Sequence, residues 1–225
     1  MLKSWGNLMA YKNNETMRLE EVKNLGIEPN NILDIGAHTG QFYGWAKKVW
    51  PTSVVFMIEA NILHKLILKN ITFGMDDDYL ITALGDEERD VTFYTRLDKP
   101  QTEGNSYYKE ANYWDIPQLV KETTVRLQKL DDLFEDDTVY DLIKIDTQGS
   151  EIDIIKGGKN LVLKSKAVIL EVAYTEYNLG APKSDEVIDY MNDIGFEERI
   201  SIGEHYDNDV VVQKDLLFTN KELVK

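Results

Sequence analysis

Short apolar runs alternate with segments of helical spacing along most of the chain. The apolar runs at 31–37, 53–60, 79–85, 140–147 and 166–174 each predict a strand. Segments with helical spacing follow four of them, at 41–49, 62–70, 150–163 and 184–194. Such alternation is typical of parallel βαβ units with right-handed connections. The final stretch, 196–219, predicts an antiparallel pair, so we expect an α/β fold of five parallel strands with a terminal hairpin.

Two regions depart from this alternation. Residues 1–30 predict an N-terminal helical cap, in which the helix from Glu15 to Val22 ends at Gly26. Between the third and fourth parallel strands, runs at 90–97 and 123–130 predict two additional strands. They enclose a polar, aromatic insertion at about 98–122. We therefore predict one main domain over 31–225 that carries this insertion.

Composition narrows the possible partners. The chain has 225 residues, of which 43% are hydrophobic, and this suits one globular domain. Its formal charge of −15 repels phosphate backbones, so we expect no nucleic-acid partner. There is no apolar run of about 20 residues, which predicts no membrane span. The lack of Cys excludes disulfides and thiolate metal sites. The N-terminus lacks the apolar centre of a secretory signal, so we expect a cytoplasmic protein.

Candidate chemistry lies where the predicted parallel strands end. Ligands of open α/β sheets bind outside the carboxyl ends of the strands, at the point where strand order reverses. Four predicted strands carry an acidic residue close to that end, namely Asp34, Glu59, Asp146 and Glu171. We therefore expect a ligand site at this edge of the sheet.

The loop after the first strand, within "ILDIGAHTGQ", carries two glycines four residues apart. Gly36 allows the backbone to approach a bound group, and Gly40 allows the next helix to begin close to it. The second glycine of the dinucleotide fingerprint G-x-G-x-x-G would stand at position 38, where this chain has His38. No Gly-Lys-Ser/Thr of a phosphate loop is present either. The spacing of Asp34, Gly36 and Gly40 is that of S-adenosylmethionine sites. Packing alone is the alternative explanation for this glycine pair.

Glu59 gives the second signal, because it ends the second strand 25 residues after Asp34. A carboxylate there can accept hydrogen bonds from both hydroxyls of a ribose. NAD-dependent enzymes place an acid at the same point, so Glu59 does not distinguish the two cofactors. A nucleotide-dependent oxidoreductase, or a non-catalytic binding module on the same fold, therefore stays as an alternative.

Longer motifs extend this interpretation. "ILDIGAHTGQF", "FMIEAN", "YDLIKIDTQGSEIDIIKGG" and "VILEVAY" together resemble the FkbM family of S-adenosylmethionine-dependent methyltransferases, over roughly residues 31–219. The resemblance implies a Rossmann-like class I methyltransferase fold, with a mostly parallel seven-stranded sheet and helices on both faces. It also implies O-methylation of a hydroxyl on a sugar, glycan precursor or other small molecule. One departure is His38, at a position where the family often has Asn.

The donor site is assigned along the strand ends. The first loop is expected to hold the methionine portion, Glu59 with Ala60 the ribose, and the turn at 83–86 the adenine. The expected cofactor-binding residues are Asp34, Gly36, Ala37, His38, Gly40, Gln41, Glu59, Ala60, Leu84, Asp86 and Asp146.

Three side chains are candidates for accepting the proton of the acceptor hydroxyl. Asp146 ends the fourth parallel strand, although capping of the next helix would also explain it. Glu171 interrupts an apolar strand, which fits either structural pairing or substrate contact. His205 is predicted in the terminal hairpin turn, as an exposed residue or as a base over the pocket. Lys144 should share a sheet face with Asp146 and needs an acidic partner there.

Other residues give weaker evidence for a function. His64 is predicted to be solvated on a surface helix, and Glu151 is favoured in a first helical turn by the helix dipole. Aromatic and amide side chains of the 98–122 insertion, including Tyr107, Tyr108 and Tyr113, suit contact with a sugar ring, but a packed surface excursion explains them equally. No spacing specifies a metal site, so none is predicted. The sequence leaves the acceptor and the oligomeric state open.

Overall fold

The computed structural model describes residues 15–97, 104–111, 117–176, 178–207 and 209–224. The strands are β1 (Asn31–Ile35), β2 (Val54–Glu59), β3 (Asp78–Ile81), β4 (Ala83–Leu84), β5 (Asp90–Arg96), β6 (Val120–Gln128), β7 (Leu142–Ile145), β8 (Ala167–Ala173), β9 (Phe196–Asp207) and β10 (Val210–Asn220). The helices are α1 (Glu15–Asn24), α2 (Gln41–Val49), α3 (Lys65–Thr72), α4 (Glu151–Gly157), α5 (Lys159–Val162) and α6 (Ser184–Asp193).

The main sheet has seven strands in the order β3-β2-β1-β7-β8-β10-β9. The first five pair in parallel, and β10 pairs antiparallel with both β8 and β9. The predicted fold, with five parallel strands and a terminal hairpin, is confirmed. The chain builds outward from β1 to β3 and then returns to place β7 beside β1. This reversal leaves a crevice at the carboxyl ends of β1 and β7, where ligands of such sheets bind.

Each face of the sheet is covered by helices. Alternate strand residues face opposite sides, so neighbours such as Ile32 and Leu33 belong to different apolar clusters. One cluster packs the sheet against α4, α5 and α6, and the other packs it against α1, α2 and α3. Asp34 and Lys144 face one another in the register of β1 and β7, on the same side as Ile32. The sheet face that α1 and α2 cover is therefore apolar at Ile32 and becomes polar at Asp34 and Lys144.

The prediction of one strand over 79–85 is wrong. Thr82 still donates its N–H to the carbonyl of Glu59 (3.0 Å), but Gly85 donates to the carbonyl of Gln128 (3.1 Å). The chain thus changes partners within three residues, and β4 joins a second sheet of order β4-β6-β5. The two strands predicted around the insertion are β5 and β6 of this sheet, which pair antiparallel.

The predicted helix over 150–163 is divided into α4 and α5 at Gly157 and Gly158. A Cβ atom on Gly157 would lie 2.0 Å from the carbonyl oxygen of Gly85, so this turn of the helix must approach the second sheet without a side chain. The predicted 62–70 helix begins as a 3-10 turn at 62–64 and continues as α3. Of the predicted N-terminal cap, α1 is present, and residues 1–14 lie outside the described part of the chain. None of the helices in the described ranges is long and apolar enough to cross a membrane.

Candidate active site

The loop that joins β1 to α2 is fixed against two neighbouring strands. Gly36 (φ 82°) and Ala37 both donate their N–H groups to the carbonyl of Ile58 in β2 (2.9 and 3.1 Å). A Cβ atom on Gly36 would lie 1.8 Å from the carbonyl oxygen of Asp146. Only glycine therefore allows this loop to lie so close to the residue that follows β7. Gly40 (φ 80°) packs on Ile71 of α3 instead. Gly40 therefore serves the packing of the helix, whereas Gly36 allows close backbone approach at the crevice.

Glu59 links this loop to the end of β2. Its Oε2 accepts the N–H of His38 at 2.7 Å, and its Oε1 accepts the N–H of Asn61 at 2.7 Å. Burial raises the pKa of Glu59, although these two hydrogen bonds oppose the shift. Each carboxylate oxygen retains a further lone pair, so Glu59 can still accept hydrogen bonds from a ligand.

A cavity of about 340 Å³ opens over the carboxyl ends of the parallel strands. It extends from the second sheet to the terminal hairpin. The residues predicted for the site that line it are Gly36, Ala37, His38, Gln41, Glu59, Ala60, Leu84, Asp146, Glu171 and His205. The structure thus brings most of the predicted residues to one cavity.

Three of the predicted cofactor residues do not line the cavity: Asp34, Gly40 and Asp86. Asp34 is fully buried beneath it, and neither carboxylate oxygen has a hydrogen-bond partner among the described residues. Burial raises the pKa of Asp34 to about 7, although the charge of Lys144 opposes the shift. Asp86 lies in the half-exposed turn after β4, 3.5 Å from the guanidinium of Arg89.

An ion pair between buried Lys144 and partly exposed Asp146 lies at the end of β7. The Nζ of Lys144 donates to Oδ2 of Asp146 at 2.9 Å, which confirms the acidic partner predicted for this lysine. Burial works against both charges, but the ammonium of Lys144 holds the pKa of Asp146 below its usual value. The carboxylates of Asp146, Asp34 and Asp215 in turn raise the pKa of Lys144. Asp146 is therefore ionised and faces the cavity.

Glu171, in β8, is the centre of a polar cluster beside this ion pair. Its Oε2 accepts hydrogen bonds from the amide of Gln148 (2.5 Å) and from that of Gln213 (3.0 Å). Gln148 also donates to Oδ1 of Asp146 (3.1 Å), so one amide joins the two carboxylates. Burial, followed by the negative charges of Asp146 and Asp215, raises the pKa of Glu171 well above its usual value.

His205 lies within β9, before the hairpin turn in which it was predicted, and is mostly buried. Its Nε2 is 3.8 Å from Oε1 of Glu171 and 3.6 Å from Oδ2 of Asp215. The imidazole thus lies between two carboxylates at the hairpin end of the cavity. Gln213 and Asp215 also line the cavity, although neither was predicted from the sequence. Their signal is that both interrupt the apolar run of β10, two residues apart and hence on one face.

The prediction that His64 is a solvated surface residue is wrong. The 3-10 turn at 62–64 exposes Ile62 and Leu63 and points His64 inward, where it is 1% exposed and lines the cavity. Its ring meets that of His38 edge to face, with centroids 4.4 Å apart. Neither of its ring nitrogens has a hydrogen-bond partner among the described residues, and burial lowers its pKa to about 4. His64 is therefore a neutral wall of the cavity.

Glu151 shapes the loop before α4 and does not line the cavity. Its Oε1 accepts the N–H groups of Thr147 (2.9 Å) and Gly149 (3.1 Å). Burial raises the pKa of Glu151 to about 7. The N-cap of α4 is Ser150, so the alternative explanation of Asp146 as a capping residue is not supported.

The family model described as "Methyltransferase FkbM domain" matches residues 34–198 of the sequence. The chain belongs to the FkbM methyltransferase family. No curated protein matches the sequence significantly. The described part of the chain has a Rossmann-like sheet with a cavity at the strand ends.

Solved structures agree on the fold. A methyltransferase FkbM from Methylobacillus flagellatus KT is 16% identical with a TM-score of 0.53; the match covers 85% of this chain and 44% of that one, so this chain spans less than half of that protein. A S-adenosylmethionine-dependent methyltransferase from Clostridium acetobutylicum ATCC 824 is 10% identical (TM-score 0.56, 94% and 92% covered). The magnesium protoporphyrin IX methyltransferase from Synechocystis PCC 6803, with bound SAM, is 10% identical (TM-score 0.51, 92% and 79% covered).

Proposed function

We propose that this protein uses S-adenosylmethionine to methylate a hydroxyl group of a sugar or glycan precursor. The observation that carries the proposal is the continuity of the cavity. One wall holds the loop after β1 and the carboxylate of Glu59, and another holds the cluster around Glu171. A donor and an acceptor can therefore meet within one continuous cavity.

The residues of the first wall fit the donor. Gly36 lets the loop after β1 lie directly against the end of β7, so that the loop lines the cavity where we expect the methionine tail. The Glu59 carboxylate has lone pairs for the two ribose hydroxyls. Leu84 follows on the same wall, on the side where we expect the adenine. When bound, the donor supplies a methyl group already activated as a sulfonium, so the protein contributes mainly position.

Asp34 takes a supporting role in this proposal. Its carboxyl group lies beneath the cavity, opposite Lys144 in the strand register. We propose that Asp34 acts on the methionine tail through the charge balance of the Lys144–Asp146 pair. Gly40 fixes the start of α2, and Asp86 remains a candidate at the outer edge of the adenine end.

The second wall fits an uncharged, hydroxyl-bearing acceptor. The amides of Gln148 and Gln213 and the carboxylate of Glu171 offer both donors and acceptors to hydroxyl groups. The ring of Trp45 lines the same space and offers an apolar face to a sugar ring. Several carboxylates here disfavour a phosphorylated acceptor.

Among the three predicted candidates, Glu171 is the best placed to accept the proton. A general base works best when its pKa lies close to the working pH. Lys144 keeps the pKa of Asp146 low, which makes Asp146 a weak base, whereas the pKa of Glu171 is raised. We propose that Glu171 takes the hydroxyl proton as the methyl–oxygen bond forms and the methyl–sulfur bond of the donor breaks, its electron pair staying on sulfur. His205, 3.8 Å away, is proposed to stabilise the orientation of Glu171.

Two measurements test the proposal. Calorimetry with S-adenosylhomocysteine and with NAD should show binding of the former alone; binding of NAD alone would favour an oxidoreductase. Radiolabelled methyl transfer from S-adenosylmethionine to a panel of sugars, glycans, amines and carboxylates then identifies the acceptor class. Donor binding without transfer to any acceptor of the panel would favour a non-catalytic binding module.

A further inference from the structure

A segment of the insertion crosses the cavity beside the second sheet. We call residues 104–111 the tyrosine arm. Ser106 pairs with Tyr94 of β5 through two backbone hydrogen bonds (2.8 and 3.3 Å). At its other end, the backbone carbonyl of Lys109 accepts the N–H of Leu179 at 2.8 Å. The tyrosine arm is therefore held at both ends, by β5 and by the loop after β8.

One carboxylate fixes the middle of the tyrosine arm. Asp153, in the first turn of α4, accepts the hydroxyl of Tyr107 at 3.1 Å and that of Tyr108 at 2.8 Å, both on Oδ2. The two rings lie 5.1 Å apart, and Asp153 is 9% exposed. Hydrogen bonds to a charged, buried acceptor are stronger than neutral ones. Asp153 thus sets the position of both rings although it does not line the cavity.

Of the two rings, only that of Tyr107 belongs to the cavity wall. It faces the space also lined by Leu84, Phe93 and Ile154, which are apolar. α4, which carries Asp153, packs directly on the turn after β4 through the contact of Gly157 with Gly85. The tyrosine arm therefore reaches from β5 to the loop after β8, and within it Tyr107 is joined through Asp153 to α4, the helix that packs beside β4.

We propose that the tyrosine arm forms the wall of a nucleoside site, in which Asp153 positions Tyr107 against the adenine of the donor. A flat aromatic ring opposite apolar side chains is the surface that a purine base stacks on. The inference rests on the proposed function, because it assigns the adenosine end of the same donor site. The competing assignment is the acceptor contact that the sequence predicts for this insertion.

The test uses calorimetry with two ligands that share the nucleoside, S-adenosylhomocysteine and 5′-methylthioadenosine. Asp153→Ala releases both tyrosines and should weaken both ligands about tenfold or more, by the same factor, as expected for a loss of roughly 1.4 kcal/mol. Asp153→Asn keeps one acceptor oxygen, so its affinity for both ligands should lie between those of the wild type and Asp153→Ala. Tyr108→Phe removes one anchor without altering the cavity wall, and should weaken both ligands by a smaller factor.

Asp131 provides the matched control. It also accepts two hydrogen bonds, from the N–H groups of Asn160 (3.1 Å) and Leu161 (2.9 Å), but lies away from the cavity. Asp131→Ala should lower the Tm and leave both affinities unchanged. If Asp153→Ala fails to fold, Tyr108→Phe at an unchanged Tm decides the question.

The outcomes separate the inference from the proposed function. Unchanged affinity for both ligands in folded Asp153→Ala and Tyr108→Phe would overturn the nucleoside site and favour the acceptor assignment, while leaving the methyltransferase function intact. A wild-type protein that binds neither ligand would instead contradict the proposed function itself.

Discussion

The carboxylate of Glu59, at the end of β2, accepts the backbone N–H of His38, in the loop after β1, across 2.7 Å. Its second oxygen accepts the N–H of Asn61 at the same distance. Glu59 therefore fixes two backbone segments and also lines the cavity. Its removal should consequently affect both ligand binding and stability.

Glu59→Ala should weaken S-adenosylhomocysteine binding by roughly 1–3 kcal/mol, because charge-assisted hydrogen bonds to the ribose are lost. It should also lower the Tm, since two buried N–H groups lose their acceptor. Asp77→Ala is the control: Asp77 is also buried and accepts the N–H of Val55 (2.8 Å), but it does not line the cavity. Calorimetry on this control should show the wild-type affinity at a lowered Tm. An unaltered affinity in Glu59→Ala would contradict the ribose assignment.

The sequence predicts the central sheet well because its strands are buried on both faces. β1, β2, β7 and β8 are near-continuous apolar runs, which is typical of parallel strands covered by helices. An acidic residue at the end of such a run stands out, and Glu59 and Asp146 were found in this way. Once a strand is located in the sequence, the residue at its end is known as well, so these two residues could be found without knowing any contact between distant segments.

What the sequence did not predict depends on contacts between distant segments. β4 has only two residues, and it leaves the main sheet because β6, more than forty residues later, offers it a partner. His64 turns inward because a 3-10 turn precedes α3, and periodicity measured at 3.6 residues per turn places it outside. Asp215 meets Glu171 only through the pairing of β8 with β10. Local patterns do not encode these partnerships.

The Lys144–Asp146 pair should dominate the stability of this end of the sheet. Asp146→Asn leaves the buried ammonium of Lys144 without its hydrogen-bonded partner and should lower the free energy of unfolding by about 3 kcal/mol. Lys144→Met should cost less, because the carboxylate of Asp146 is partly exposed to the cavity. The double variant should lose less than the sum of the two. A double-mutant cycle from urea unfolding measures this coupling.

The exposed pair of Arg126 and Glu88, at 3.2 Å, is the control for that cycle. Both side chains are more than half exposed, and the same cycle with alanine should give a coupling of at most about 1 kcal/mol. Equal coupling energies at the two pairs would contradict the view that burial makes the Lys144–Asp146 pair important.

Glu171 should control the pH dependence of methyl transfer. A base must be ionised before it accepts a proton, so with an acceptor from the panel the rate should rise as pH rises through the raised pKa of Glu171. Glu171→Gln should lower kcat and remove this rise, while leaving donor affinity close to wild type. His205→Gln should lower kcat less and keep the rise. If the pH limb disappears in His205→Gln and persists in Glu171→Gln, the imidazole is the base.

His64 should make the protein less stable in acid. Burial, with a smaller contribution from His38, lowers its pKa from 6.5 to about 4. Between these values the unfolded chain binds a proton that the folded chain does not, so the free energy of unfolding should fall as pH drops through that window. His64→Phe keeps a ring against His38 but does not titrate. Urea unfolding of both proteins at pH 7.5, 6 and 5 isolates the effect, because every other titrating group contributes equally to the two curves. The wild type should lose stability relative to the variant at each step down, and parallel curves would show that the His64 ring is protonated in the folded protein.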